Sequence, residues 1–197
     1  MANDSIKLVT VVGVGALGSH LVQAIRNEKV DIKVLDFDRV ESKNVMSQFY
    51  GKPSVGKLKV DGLKSTMDFL FKRAIATGSA KVVQDNIEVL IAKSGNLVVD
   101  ALDNAASRVL VQQYVRRHGI PCVHGALAPD GQFGRVVWDD KFVIDSEVGV
   151  GGATCEDGVH LPFITLTSAL LARAVQVFIA TGRQVGYEIT PSGVFAT

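Results

Sequence analysis

Ile6-Lys7-Leu8-Val9-Thr10-Val11-Val12 runs directly into Gly13-Val14-Gly15-Ala16-Leu17-Gly18, and the junction between the two stretches decides the fold. The first stretch is short, apolar and rich in β-branched residues, the signature of a buried strand. Beyond the glycines, Leu17, Leu21, Val22 and Ile25 recur at helical spacing, so Leu17 to Arg26 reads as a helix with one apolar face. A strand, a glycine turn and a helix in that order suit a phosphate. Gly13 permits the tight turn, Gly15 lets an anion approach the backbone, and Gly18 lets the helix close on the strand. The helix start adds unpaired N–H groups and a partial positive charge. A second strand, Ile32 to Leu35, ends at Asp36, 21 residues after Gly15, where a carboxylate can accept from ribose hydroxyls. On this motif alone NAD is the natural ligand, and a purely structural glycine turn is the alternative.

The pattern continues outward. Lys57 to Ala74 predicts a helix with Leu58, Leu63, Met67, Leu70 and Phe71 inward. Lys81 to Val83 predicts an edge strand, and Glu88 to Ala92 part of a short helix. Leu97 to Leu102 is another apolar strand, Ala105 to Arg117 a helix, and Pro121 to His124 with Phe133 to Trp138 finish the sheet. Alternating strands and helices give an α/β class. The expected fold is a Rossmann-like, mostly parallel sheet with helices on both faces and a few C-terminal antiparallel strands. Residues 139–160 are glycine-rich, lack helical periodicity, and read as a long crossover loop. Leu161 to Ala180 is long enough to span a bilayer. However, Arg173 sits near its middle, among Thr165, Thr167, Ser168 and Gln176, which predicts a buried core helix instead.

Composition sets outer limits. A chain of 197 residues suits one domain over 1–197. With 47% hydrophobic and 21% charged residues it is globular, and a net charge of +1 gives no argument for nucleic acid or membrane. Cys122 and Cys155 are the two cysteines, with no Cys-x-x-Cys, so no zinc is expected. A reducing, cytoplasmic setting fits them. The start MANDSIKLVT has no basic n-region followed by a long apolar run, so no secretory signal is expected.

Five further segments follow the glycine loop in order. Asp36-Phe37-Asp38-Arg39-Val40-Glu41 leads into Ser42-Lys43-Asn44-Val45-Met46-Ser47-Gln48-Phe49, and then comes Gly56-Lys57-Leu58-Lys59-Val60. Asp100-Ala101-Leu102-Asp103-Asn104-Ala105-Ala106-Ser107-Arg108 follows, and after it His124-Gly125-Ala126 with Gly131-Gln132-Phe133-Gly134. Over about residues 6–182 this set resembles the ThiF/MoeB/ubiquitin-activating-enzyme superfamily. Thr154-Cys155-Glu156-Asp157-Gly158-Val159 and the helix ending at Gly182 look like that family's Cys-x-x-x-Gly-Val segment and closing helix.

The resemblance implies ATP-dependent adenylation of the C-terminal carboxylate of a ubiquitin-like or sulfur-carrier protein, with release of pyrophosphate, by a homodimer. Asp36 would hold the ribose, Asn44 and Gln48 would contact the nucleotide, and Lys59 would neutralise phosphate charge. Asp103 would bind Mg²⁺, a hard cation that takes carboxylate and phosphate oxygens together. Gly13, Gly15, Ala16, Gly18, Asp38 and Leu102 complete the implied nucleotide pocket. Structural roles compete with these: Lys57 and Lys59 as a solvated helix start, Asp103-Asn104 as an N-cap region, Arg108 as a surface residue, Asp38 as a turn residue.

Three departures bear on function. Where the family usually reads Asn-Leu-Asn-Arg-Gln-Phe, with an arginine on the phosphates, this chain has Ser47. Lys43, Arg39 or Lys57 is expected to substitute in part, Lys43 because it would share a helical face with Ser47. The segment before the first strand, MANDS, holds no arginine to reach across a dimer, and zinc-binding cysteine pairs are absent, so the chain looks like a minimal member. Cys155 could take the activated carrier as a thioester, but Glu156 and Asp157 would raise its pKa, and it matches the cysteine before the closing helix, not the usual nucleophile. Cys122 reads as core, His20 as lining the first helix, and His160 does not by proximity make Cys155 a nucleophile. Two rival functions stand beside adenylation: a catalytically degenerate nucleotide-binding, partner-recruiting protein, and an NAD-dependent oxidoreductase.

Overall fold

A computed structural model describes residues 6–144 and 158–197. The strands are β1 (Leu8–Val12), β2 (Asp31–Leu35), β3 (Ala76–Gly78), β4 (Asn96–Asp100), β5 (Cys122–Leu127), β6 (Gly134–Trp138), β7 (Tyr187–Thr190) and β8 (Gly193–Ala196). The helices are α1 (Ala16–Ala24), α2 (Lys59–Phe71), α3 (Ile87–Leu90), α4 (Ala105–His118) and α5 (Leu161–Thr181). Short 3₁₀ turns occupy Ser42–Met46, Lys52–Ser54 and Asp139–Lys141.

All eight strands form one sheet in the order β3-β2-β1-β4-β5-β6-β7-β8. β3 to β5 pair in parallel and β5 to β8 pair antiparallel. This is the expected α/β architecture. The parallel strands are buried on both sides, and their alternating residues feed two cores. Val9, Val11, Leu97 and Val99 pack with Leu21, Val22, Leu63, Met67, Leu171 and Val175, so α1, α2 and α5 cover one face. Val12, Val98 and Leu35 pack with Ile87, Val111, Tyr114 and Val115, so α3 and α4 cover the other.

α5 is the helix in which a bilayer span had to be weighed, and by length and composition alone it could cross one. Here Ile164, Thr167, Ser168, Leu171, Val175 and Phe178 are buried, and Ser168 Oγ donates to the Leu17 carbonyl of α1 at 3.2 Å. Gly182 ends the helix in the left-handed region, at φ 70°.

Two expectations need correction. The edge strand is Ala76–Gly78, paired with Lys33–Leu35, and not Lys81 to Val83. Val82 is buried without strand pairing because it caps the core beneath α3 and α4. On α2 the inward residues are Val60, Leu63 and Met67, whereas Leu70 and Phe71 are exposed. The three-residue β3 beneath α2 is too short to cover its last turn, and Phe71 lies against the Arg26 guanidinium at 4.4 Å.

Candidate active site

Ligands of open parallel sheets bind outside the carboxyl ends of the strands, where the chain order reverses. Here that point lies between β1 and β4, which flank each other although β2 follows β1 in the chain. Gly13 leaves β1 with φ +88°, and a Cβ on it would stand 2.7 Å from the Ala101 carbonyl oxygen just beyond β4. At Gly18 a Cβ would stand 1.9 Å from the Gly13 oxygen. Both glycines are therefore demanded by contact within the protein. Gly15 differs: nothing lies within 4 Å of where its Cβ would be. It faces open space at the start of α1, where the first-turn N–H groups have no helical partner.

Asp36 stands at the end of β2 and grips this loop, accepting from the Val14 N–H at 2.9 Å and the Asp38 N–H at 2.9 Å. Burial pushes its carboxyl up from the ordinary value, opposed by the Lys59 charge and the two N–H groups. Tyr50 holds the loop from the other side, donating its hydroxyl to the Val14 carbonyl at 2.6 Å. Lys59 opens α2 with its side chain 11% exposed, and its Nζ lies 3.0 Å from Asp38 Oδ2. Asp38 is thus the ion-pair partner of the lysine, a role sharper than either alternative weighed for it. Lys57 remains exposed.

The Ser42–Met46 turn brings Asn44 and Gln48 beneath the surface. Asn44 Oδ1 accepts from the Glu41 N–H at 2.8 Å in a capping box, so its carbonyl has a structural duty. Gln48 is 7% exposed and its Oε1 has no protein partner, an orphaned buried acceptor of the kind a ligand satisfies. Ser47, at the position of the expected arginine, is 1% exposed. The His20 ring Nε2 lies 3.0 Å from the Ser47 carbonyl, and burial lowers the pKa of His20. Because the turn is 3₁₀ and not α-helical, Lys43 does not stack over Ser47; it lies 3.5 Å from Glu41. Arg39 donates to the Gly56 carbonyl at 2.8 Å.

Beyond β4, Asp103 is exposed and has no protein partner among the described residues. Asn104 is the N-cap of α4, accepting from the Ser107 N–H at 2.8 Å, so capping belongs to Asn104 and leaves Asp103 available. Arg108 is neither a surface residue nor a free cation. Its guanidinium donates to the Leu102 carbonyl at 2.7 Å and to the Gly125 carbonyl at 2.7 Å.

Sequence reasoning gave no role to Asp100 and His124, register partners at the end of β4 and within β5. Both side chains are fully buried, and His124 Nδ1 lies 2.8 Å from Asp100 Oδ2. Cys122 is buried with a free thiol, as expected of a core residue. Cys155 lies outside the described residues. His160 precedes α5, and its ring sits against Gly131. Gly158, φ +76°, folds back onto the Met46 carbonyl, which a Cβ there would approach to 2.9 Å.

Comparison with known proteins gives this geometry a context. The ThiF family model matches residues 5–172. The chain is 34% identical over 122 residues to the SAMP-activating enzyme E1 of Haloferax volcanii, covering 60% of this chain and 45% of that protein. It is 27% identical over 191 residues to the molybdopterin-synthase adenylyltransferase of Escherichia coli, covering 92% and 76%. With the sulfur carrier protein ThiS adenylyltransferase of Bacillus subtilis it shares 29% over 158 residues, covering 74% and 46%. This chain therefore spans about half the length of two of these three enzymes. Among solved structures, Escherichia coli MccB with ATP shares the fold with a TM-score of 0.78 at 14% identity, over 98% of this chain and 63% of that one.

Proposed function

The chain belongs to the ThiF family, and on that premise we propose that it is an adenylyltransferase. Its substrates are ATP·Mg²⁺ and the C-terminal carboxylate of a ubiquitin-like or sulfur-carrier protein. One observation carries the reading most. Gly13 packs against the Ala101 carbonyl, Asp36 accepts from Val14 of the same glycine loop and from Asp38, and Asp38 pairs with Lys59, so these groups and the turn leading to Asp103 lie beyond the carboxyl ends of β1, β2 and β4. An NAD-dependent oxidoreductase would leave Lys59 and Asp103 without work.

The residues present fit a nucleoside triphosphate. Gly15 and the first-turn amides of α1, which include those of Ala16 and Gly18, offer an open anion seat. Each Asp36 oxygen accepts one backbone N–H and keeps a lone pair for a ribose hydroxyl. Gln48 Oε1 waits for a donor, and Asn44 and Leu102 would complete the nucleotide pocket. Lys59 would pass from Asp38 to phosphate oxygen. Mg²⁺, held by Asp103 and the phosphates, would supply charge neutralisation. The carrier's own carboxylate is the nucleophile at the α-phosphorus, so the O–P bond to pyrophosphate breaks without any protein base. The enzyme's contribution is placement and charge. The homodimer belongs to the same proposal.

The buried Ser47 favours one second reading, a protein that binds the nucleotide but does not turn it over. An arginine acting on transferring phosphate is worth about 10³–10⁵ in rate elsewhere. ATP–pyrophosphate exchange with candidate carriers separates the readings, with thermal shift as the binding control. Adenylation predicts exchange in wild type, and loss of both exchange and the ATP·Mg²⁺ shift in Asp103→Ala. A thermal shift without exchange supports the binding protein. No shift overturns both.

A further inference from the structure

The proposed reaction leaves the buried ions at the end of β4 and within β5 without work. His124 is fully buried, with a carboxylate on either side: Asp100 Oδ2 lies 2.8 Å from Nδ1, and Asp139 Oδ1 lies 3.2 Å from Nε2. Only the imidazolium donates from both ring nitrogens, so this geometry calls for a buried cation between two acceptors. The pKa agrees: burial lowers it, but hydrogen bonds to Asp100, Asp139 and Cys122 outweigh that and raise it to about 11. Every neighbouring element sends a group. Asp100 comes from β4, Cys122 from β5 at 3.6 Å, and Phe142 stacks on the ring at 3.9 Å. From α4, Arg108 lies 3.8 Å from Asp100, and Arg116 donates to Asp139 at 2.8 Å.

The network has two ends. At one, Asp100 Oδ1 accepts from the Leu102 N–H at 3.0 Å while Arg108 takes the Leu102 carbonyl, so both backbone polar groups of the turn before Asp103 are held from below. At the other, Asp139 and Phe142 stand where the expected 139–160 crossover loop begins, of which 145–157 lie outside the described residues, and Arg116 and Gln112 of α4 donate to the Phe142 carbonyl at 3.3 and 3.1 Å. Burying three ionisable groups is costly unless each is paired, and a well-packed apolar cluster would fill the same volume as stably. What the ions add is direction: Asp100 is aimed at the Leu102 amide, and Asp139 at the Arg116 guanidinium that also reaches the Phe142 carbonyl.

We propose that His124 is a positioning residue that ties the Asp139–Phe142 segment to the Ala101–Asp103 turn, fixing where Leu102 and Asp103 stand at the nucleotide site. The ligand in this proposal rests on the adenylation reading; the tie between segment and turn does not. The test uses wild type, His124→Gln and Asp139→Ala. The second variant alters only the more exposed end of the network, so it decides the matter if His124→Gln does not fold. The Leu102 amide should exchange with solvent about tenfold faster in both variants, with the β1 amides of Val9 and Val11 unchanged. The Kd for ATP·Mg²⁺, by calorimetry, should rise about tenfold, as when an outer partner of a metal-site residue is lost. In the wild type, both His124 ring protons should be visible by nitrogen-edited NMR at pH 8.

Leu102 exchange that is equal in all three proteins overturns the tie. Faster exchange with an unchanged Kd overturns the positioning role and leaves the tie. A neutral His124 at pH 8 overturns the ionic basis. A wild type that does not bind ATP·Mg²⁺ overturns the adenylation reading, and the exchange experiment still judges the tie.

Discussion

Two loops meet at the working edge of this sheet, and they are held in opposite ways. The Gly13–Gly18 loop is shaped by lack of side chains: Gly13 presses on Ala101, Gly18 presses on Gly13, and only Gly15 is left bare toward solvent. The Ala101–Asp103 turn is shaped by charge, with Asp100 under its amide and Arg108 under its carbonyl. The first mode is steric and tolerates almost no added atoms. The second is electrostatic and tolerates changes of shape better than the loss of a partner. A site built from both can place a phosphate seat and a carboxylate side by side without either loop depending on the other's chemistry.

The sharpest way to break the contrast is His124→Ala. Removing the imidazolium takes the nearest cation from the fully buried Asp100 and one of two from the partly buried Asp139, which should cost about 3–5 kcal/mol in denaturant unfolding. Raising the pH does the same reversibly. The folded pKa of His124, about 11, lies above its ordinary 6.5, so its stabilisation is complete below 6.5 and is lost as pH rises through 11. Melting temperatures of the wild type should therefore decline progressively from about pH 6.5 to about pH 11 and level off beyond it, and those of His124→Ala should lack that contribution. Next comes Gly18→Ala, which forces a Cβ against a carbonyl and should cost about 1–3 kcal/mol, with nucleotide affinity lost alongside. The smallest effect on folding belongs to Gly15→Ala. With open space around that position, stability should stay within about 0.5 kcal/mol, while any ATP·Mg²⁺-induced thermal shift shrinks. If Gly15→Ala unfolds the protein, or leaves the shift intact, the division between a structural and a ligand-facing glycine is wrong.

The two modes also explain what was legible beforehand. The glycine loop is local: strand, glycines and helix are consecutive, and Asp36 follows at a fixed distance, so pattern alone recovers the site's steric half. The ionic half joins residues 100, 124 and 139, which meet because β4 and β5 pair in parallel and β6 turns back. The only advance signal was a polar residue within each of two apolar strand segments. Asp38 was ambiguous for the same reason, since its partner Lys59 is 21 residues away. Asn44 carries a further duty that went unread: its capping of Glu41 is a local pattern, hidden in a motif already assigned to the ligand. The edge strand was misplaced because a buried Val82 outweighs the small residues of Ala76–Gly78 on any hydrophobic count, although only the latter pair with β2.

The strand order carries a last consequence. Eight strands in one open sheet leave two free margins, rows of amides and carbonyls on which another chain could build. Here the margins are β3, with three residues, and β8, with four. Each offers few backbone groups as a template, while the long central strands are covered on both flanks. What remains sticky is a corner, not an edge: Val194 and Phe195 on β8 are 42% and 58% exposed. A chain adding to either margin of this sheet therefore meets a template of only three or four residues.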